Sequence, residues 1–122
     1  MAGETRDLIV LVTHAPNQEK ATVGFTIANG GMTAGLSVSI FLASDGVDIA
    51  RKKAAEVFHS KPFDPLGDLV GDFLRRGGTL WACTPCCDAR GYTQDDLIAG
   101  TIITGASVMH EKIKNGAATL SF

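Results

Sequence analysis

The stretch Leu8-Ile9-Val10-Leu11-Val12 is apolar at every position, without the alternation that marks a strand with one wet face. Strands that are buried on both faces show this pattern, and they belong to parallel sheets that helices cover. We therefore predict a buried first strand at residues 8–12. Further strands are predicted at residues 36–42, 79–83, 101–104 and 117–122.

Helices are predicted in the segments between these strands. The clearest precedes Gly77-Gly78: Asp64 is its candidate cap and Pro65 suits its first position. Its apolar residues recur at spacings of three and four and form one stripe, namely Leu66, Leu69, Val70, Phe73 and Leu74. Asn17 is the candidate cap of a helix at residues 20–28. Weaker patterns predict helices at residues 47–58, 94–99 and 106–114, and a loop at residues 84–93.

Strands that alternate with helices predict an α/β fold. We expect three layers: a doubly wound, mostly parallel five-stranded sheet with helices on both faces. The length of 122 residues suits one domain, residues 1–122, with a core that needs no disulfides. In such sheets the loops after the carboxyl ends of the strands build the functional site. His14 follows the first strand and Cys83 ends the third, so both are expected at that edge.

Composition narrows the class of protein. The net charge is −2, and the two basic clusters, at residues 51–53 and 75–76, suit the wet sides of helices better than a nucleic-acid-binding stripe. Residues 1–7 are polar and mixed in charge, unlike a signal peptide, and the apolar runs are too short to span a bilayer. Three cysteines within five positions cannot form a secreted disulfide framework. We expect a soluble, cytoplasmic protein.

The segment Cys83-Thr84-Pro85-Cys86-Cys87-Asp88-Ala89-Arg90-Gly91 holds all three cysteines. One buried free cysteine is commonly structural, but three that crowd a strand exit favour function. A thiol must lose its proton to attack or to bind a metal. Arg90 and the positive end of a helix beginning near Gln94 would favour that loss, and Asp88 would oppose it. His14 can share the same rim, where packing or capping is as good an explanation as catalysis.

Three chemistries fit these cysteines. The first is persulfide carriage, which needs one reachable thiolate and no cofactor. The second is dithiol redox chemistry by Cys83 and Cys86, whose C-x-x-C spacing allows a short disulfide; thioredoxins place such a pair at a helix start, and the strand-end position of Cys83 makes the match partial. The third is a tetrahedral zinc site of the three cysteines and one histidine. It ranks last, because the adjacent Cys86 and Cys87 seldom reach one ion together. We expect no cofactor and no resident metal.

The chain resembles the DsrE-like family of small sulfur-relay proteins. The resemblance covers most of the chain, and its most specific part is Leu80-Trp81-Ala82-Cys83 followed by Ala89-Arg90-Gly91. It also includes residues 7–13, 41–47, the helix before Gly77-Gly78 and residues 118–122. The resemblance implies a doubly wound sheet, homotrimers or homohexamers, and a cysteine that carries persulfide sulfur between a donor and an acceptor protein. Cys83 stands where the family's strand-end cysteine is expected, and Cys86 and Cys87 are additional.

These observations lead to a sulfur-relay or persulfide-carrier protein, a sulfurtransferase-like carrier without a nucleic-acid or membrane partner. Cys83 would be the acceptor and Cys86 or Cys87 the second thiol. Arg90 would hold the thiolate, and His14 would shape the pocket. The alternative is a structural or regulatory oligomer whose thiols sense redox state or bind a metal.

Overall fold

A single sheet of five parallel strands forms the centre of the computed structural model, which describes residues 6–122. The strands are β1 (Asp7–Val12), β2 (Ser37–Leu42), β3 (Thr79–Cys83), β4 (Thr101–Thr104) and β5 (Ala118–Ser121). The helices are α1 (Glu19–Thr33), α2 (Leu66–Arg75), α3 (Thr84–Arg90) and α4 (Ser107–Lys114). Three short 3₁₀ helices lie at Ser44–Ala50, Ala55–Val57 and Gln94–Asp96. The prediction of one domain over residues 1–122, and that of no signal peptide, include five residues outside the described range.

The strand order is β4-β3-β2-β1-β5, and every pairing is parallel. The chain moves outward from β1 to β4 and then returns past β1 to β5, which is the doubly wound arrangement that the sequence predicts. Parallel strands end at one edge, so the loops after β1, β2 and β3 meet there. The predicted fold class is confirmed.

The two faces of the sheet are covered unequally. One face packs against α1, α2 and the short helices in a continuous core, which includes an edge-to-face pair of Phe25 and Phe73 with ring centres 5.9 Å apart. The other face carries α4, whose Met109 and Ile113 line a groove with Ile9 of β1. No residue of α4 is buried. Crossovers between parallel strands are right-handed. After β4 the chain reverses its direction across the sheet, and the right-handed crossover then places α4 on the second face.

The predicted loop at residues 84–93 is wrong, because residues 84–90 form α3. Pro85 lies in its first turn, where an absent N–H costs no hydrogen bond. Cys87 is fully buried in the main core, which holds the segment against the sheet. Gly91 ends the helix at φ +72°, a left-handed conformation that suits glycine.

The predicted helix at residues 47–58 is also wrong, because two 3₁₀ helices stand there instead. Between them Arg51 is extended and Lys53 has a left-handed φ of +69°, which breaks any continuous α-helix. Smaller differences concern helix starts. The N-cap position of α1 is Gln18, not Asn17, and that of α2 is Pro65, not Asp64; neither side chain forms a capping hydrogen bond. The helix predicted at residues 94–99 is a single 3₁₀ turn over Gln94–Asp96.

Candidate functional site

Cys83 lies at the junction of a strand and a helix, on the carboxyl edge of the sheet. It is the last residue of β3 and also the N-cap of α3. Cys86 follows one turn later in the same helix. The C-x-x-C pair therefore does lie at a helix start, and the strand-end position of Cys83 does not weaken that arrangement.

Burial separates the three cysteines, all of which are free thiols. Cys83 and Cys86 are half-buried and pack at the margin of the core. Cys87 has 0% relative exposure and belongs to the core itself. Cys83 and Cys86 are therefore partly accessible to solvent, while Cys87 packs as a small apolar side chain.

The pKa of the Cys83 thiol is raised, first by burial and then by its side-chain hydrogen bond with Cys86. Negative charge on Cys86 raises the same pKa. The Cys83 sulfur does not form a full capping hydrogen bond with α3, although the backbone N–H of Cys86 lies close enough to lower its pKa in part. In the resting pair Cys83 therefore tends to keep its proton.

The pKa of the Cys87 thiol is also raised, mainly by burial. The charges of Cys83, Cys86 and Asp88 raise it further, and Arg90 lowers it. The opposing effects expected of Asp88 and Arg90 on a nearby thiol are thus found at Cys87. Because burial is the largest cause, Cys87 favours its protonated form and is a poor nucleophile.

A backbone N–H that follows β2, the strand next to β3, contacts Cys86. The Ser44 N–H, just after β2, donates to the Cys86 Sγ across 3.1 Å. Ser44 has a left-handed φ of +54°, which is uncommon for a residue other than glycine. Two residues later, Gly46 lies so close to β1 that a Cβ atom there would overlap the Val12 carbonyl. This close approach fixes the turn that carries the Ser44 N–H.

Arg90 ties α3 to the same turn. Its guanidinium donates to the Cys86 carbonyl oxygen at 3.1 Å and to Asp45 Oδ1 at 2.9 Å, and its Nε lies 3.7 Å from Asp48 Oδ1. The hydrogen bond with Asp45 is the main cause that raises the Arg90 pKa, so this side chain stays charged. These hydrogen bonds go to oxygen atoms and not to a sulfur atom, and the role of Arg90 in holding a thiolate stays a prediction.

Tyr92 extends this network beyond α3. Its hydroxyl donates to Asp48 Oδ1, and the Arg51 guanidinium stacks over its ring at 5.4 Å. Burial is the first cause that raises the Tyr92 pKa, followed by the hydrogen bond with Asp48. These contacts fasten the segment after α3 to the first 3₁₀ helix.

His14 lies at the same edge of the sheet, directly after β1, and is half-buried. Its Nδ1 is buried and has no hydrogen-bond partner within residues 6–122. No hydrogen bond of the described residues joins His14 to a cysteine. A role in shaping the pocket stays a prediction.

The site also contains residues that the sequence did not single out, namely Ser44, Asp45, Asp48 and Tyr92. Ser44-Asp45-Gly46 consists of residue types that are common in ordinary turns. The sequence did contain one signal for its place in the site: this segment follows the strand next to β3, and neighbouring parallel strands end at one edge of the sheet. Across residues 6–122, no group of three or more histidine, cysteine, aspartate or glutamate side chains is arranged to hold a metal ion. Nor is any helix in that range long and apolar enough to cross a membrane.

Solved structures match this fold across nearly the whole chain. A protein of unknown function from Methanobacterium thermoautotrophicum, MTH1491, superposes with a TM-score of 0.73 at 16% identity, covering 98% of this chain and 100% of that one. The ychN protein from E. coli gives a TM-score of 0.73 at 20% identity with the same coverage. At these identities the likeness concerns the fold.

Sequence relatives come from methanogens. The uncharacterized protein MJ0760 of Methanocaldococcus jannaschii is 34% identical over 98 residues, which are 80% of this chain and 36% of that protein. This chain thus spans about a third of that relative's length. The uncharacterized protein MJ0989 of the same organism is 30% identical over 105 residues, 85% of this chain and 86% of that one. The model of the DsrE/DsrF-like family matches residues 6–122, and the chain therefore belongs to the DsrE/DsrF-like family.

Proposed function

We propose that this protein is a sulfur-relay protein that carries a sulfur atom as a persulfide on Cys83, with Cys86 as its second thiol. Its partners would be a protein that donates the sulfur and a protein that accepts it. The DsrE/DsrF-like family is associated with sulfur relay, which gives the chemical class. The observation that carries the proposal is the pair of half-buried, free thiols at the carboxyl end of β3.

The reaction needs no cofactor and no net oxidation. A protein thiolate attacks the terminal sulfur of a donor persulfide R–S–SH, a new S–S bond forms, and the donor's S–S bond breaks as the thiolate RS⁻ leaves. The acceptor protein's thiolate later repeats the same exchange on the carried sulfur. Half-burial suits this carriage, since the thiol stays reachable while the bound sulfur is partly shielded from other thiols.

Mass spectrometry of the cysteine peptide tests the proposal. Trypsin cuts after Arg76 and Arg90, so all three cysteines lie on one peptide, residues 77–90. After incubation with glutathione persulfide, this peptide should gain the mass of one sulfur atom, and dithiothreitol should remove it. Fragmentation of the peptide should place the sulfur on Cys83.

The matched controls are one single and one double substitution within the peptide. Cys87→Ala should load like the unchanged protein, and the double variant Cys83→Ser with Cys86→Ser should not load. Absence of sulfur on the unchanged protein, or sulfur on Cys87 alone, would overturn the proposal.

The proposal includes a homo-oligomer, a homotrimer or homohexamer. Apolar side chains stay exposed in this one chain, with Ile102 on β4 at 49% and Leu120 on β5 at 44% relative exposure. The four residues of β5 are all exposed. Surfaces of this kind are often covered by another subunit. Light scattering coupled to size-exclusion chromatography should give three or six times the mass of the chain, and a monomer at micromolar concentration would contradict it. A cytoplasmic location remains part of the proposal.

A second candidate function is thiol redox sensing by the same pair. The observation that favours it is the C-x-x-C spacing of Cys83 and Cys86 at the start of α3, which allows a short disulfide. Mild oxidation should then convert both thiols to one disulfide on the peptide 77–90. A protein that loads sulfur but forms no such disulfide would favour carriage over sensing.

A further inference from the structure

We infer that Cys86, held by the Ser44 backbone N–H, is the thiol that attacks the sulfur donor, and that it then passes the sulfur to Cys83. This inference builds on the proposed relay and divides its work between the two thiols. It assigns entry to the helical cysteine and storage to the strand-end cysteine. It also makes the backbone of Ser44 part of the reacting site.

The first argument is the hydrogen bond at the sulfur. The Ser44 N–H approaches Cys86 Sγ at 3.1 Å, and this donor comes from a different strand exit. A donor of this kind stabilises a thiolate more than a neutral thiol, because a hydrogen bond to a charged acceptor is the stronger one. The turn that carries it is held by the close packing of Gly46 on β1 and adopts an uncommon φ at Ser44.

The second argument is the charge around Cys86. Arg90 lies on the same helix, donates to the Cys86 carbonyl and interacts favourably with negative charge on Cys86. The carboxylates of Asp45 and Asp48, which pair with Arg90, offset part of its positive charge. The Cys87 thiol and the Asp88 carboxylate belong to the same helix, α3.

The third argument is the position of the proton in the pair. Burial raises the pKa of the Cys83 thiol, and negative charge on Cys86 raises it further, so Cys83 favours its protonated form. The thiol that receives the backbone donor, Cys86, is therefore assigned the attack, and Cys83 is assigned the receiving role.

The two steps balance without an oxidant. Cys86 thiolate attacks the terminal sulfur of R–S–SH, RS⁻ leaves, and Cys86–S–SH forms. The departing RS⁻ takes the Cys83 proton, and the Cys83 thiolate attacks the terminal sulfur of Cys86–S–SH. The products are Cys83–S–SH and the Cys86 thiolate, which returns to the Ser44 N–H.

Alkylation by iodoacetamide at neutral pH tests the assignment without any sulfur donor. The unchanged protein and Cys83→Ser should be modified first on Cys86, at rates within about threefold of each other, whereas Cys86→Ser should react about tenfold more slowly. Ser107→Ala, at the exposed start of α4 and away from the thiols, should react like the unchanged protein. First modification of Cys83, or alkylation of Cys86→Ser at the unchanged rate, would overturn the assignment.

Sulfur loading separates this inference from the proposed relay. With glutathione persulfide, Cys83→Ser should keep the sulfur on Cys86, and Cys86→Ser should load Cys83 about tenfold more slowly than the unchanged protein. If the unchanged protein takes no sulfur, the relay itself fails. If Cys86→Ser loads Cys83 at the full rate, the relay stands and the entry role of Cys86 fails.

Discussion

Gly46→Ala is a sharp structural test of the site, because it acts on the turn that presents the Ser44 N–H. A Cβ atom at this position would overlap the Val12 carbonyl oxygen and lie 3.0 Å from its carbonyl carbon. These are backbone atoms of β1, which pairs with β2 and β5 and cannot yield easily. The turn must therefore lift away from the sheet.

The expected cost follows from what the turn loses. Overpacking against a rigid neighbour costs about 1–3 kcal/mol. The Ala43 N–H donates to Val12 at 3.1 Å and the Gly46 N–H to Ala43 at 2.9 Å, and weakening one such bond adds about 1 kcal/mol. We expect the free energy of unfolding to fall by about 2–4 kcal/mol.

Urea denaturation followed by circular dichroism measures this loss. Gly30→Ala is the matched control, since an added Cβ meets no atom within 4 Å on α1; it should be neutral or stabilise by up to about 1 kcal/mol. Gly46→Ala should also slow the alkylation of Cys86. A loss below about 0.5 kcal/mol together with unchanged Cys86 reactivity would refute the reasoning about this turn.

Three further substitutions test other parts of the site. Arg90→Met should lower the free energy of unfolding by about 1–2 kcal/mol. The control is Arg75→Met, whose ion pair is more exposed and which should cost under about 0.5 kcal/mol. Equal losses of unfolding free energy in urea denaturation would contradict a stabilising role for the Arg90 contacts. Tyr92→Phe should cost about 1 kcal/mol, since Asp48 loses its hydroxyl donor. Burial raises the Cys87 pKa, so the folded state favours the protonated thiol, and stability should be full below about pH 8.5 and fall as the pH rises towards the folded pKa. Cys87→Ala should flatten that alkaline decline in urea titrations at several pH values, and an unchanged slope would argue against it.

Local patterns predicted the sheet correctly because the central strands contain short apolar runs with clear ends. The run at residues 8–12 and the strand that ends at Cys83 are both found. Helices without a clear stripe were predicted less well. Thr84-Pro85-Cys86-Cys87 has weak helix propensity, and α3 forms because Cys87 enters the core. The apolar residues within 47–50 are buried by the first 3₁₀ helix, Ser44–Ala50. The spacing of apolar residues in so short a segment does not distinguish a 3₁₀ helix from an α-helix.

The sequence alone determined the α/β class, the family resemblance and the position of three thiols at one strand exit, because all of these depend on neighbours along the chain. Only the tertiary structure decided how the three thiols differ in burial and in hydrogen bonding. It buries Cys87, leaves Cys83 and Cys86 half-buried, and directs the Ser44 N–H to one sulfur. That contact joins residues 42 positions apart. It exists because β2 and β3 pair in parallel and end at the same edge, a consequence of strand pairing that no local pattern contains.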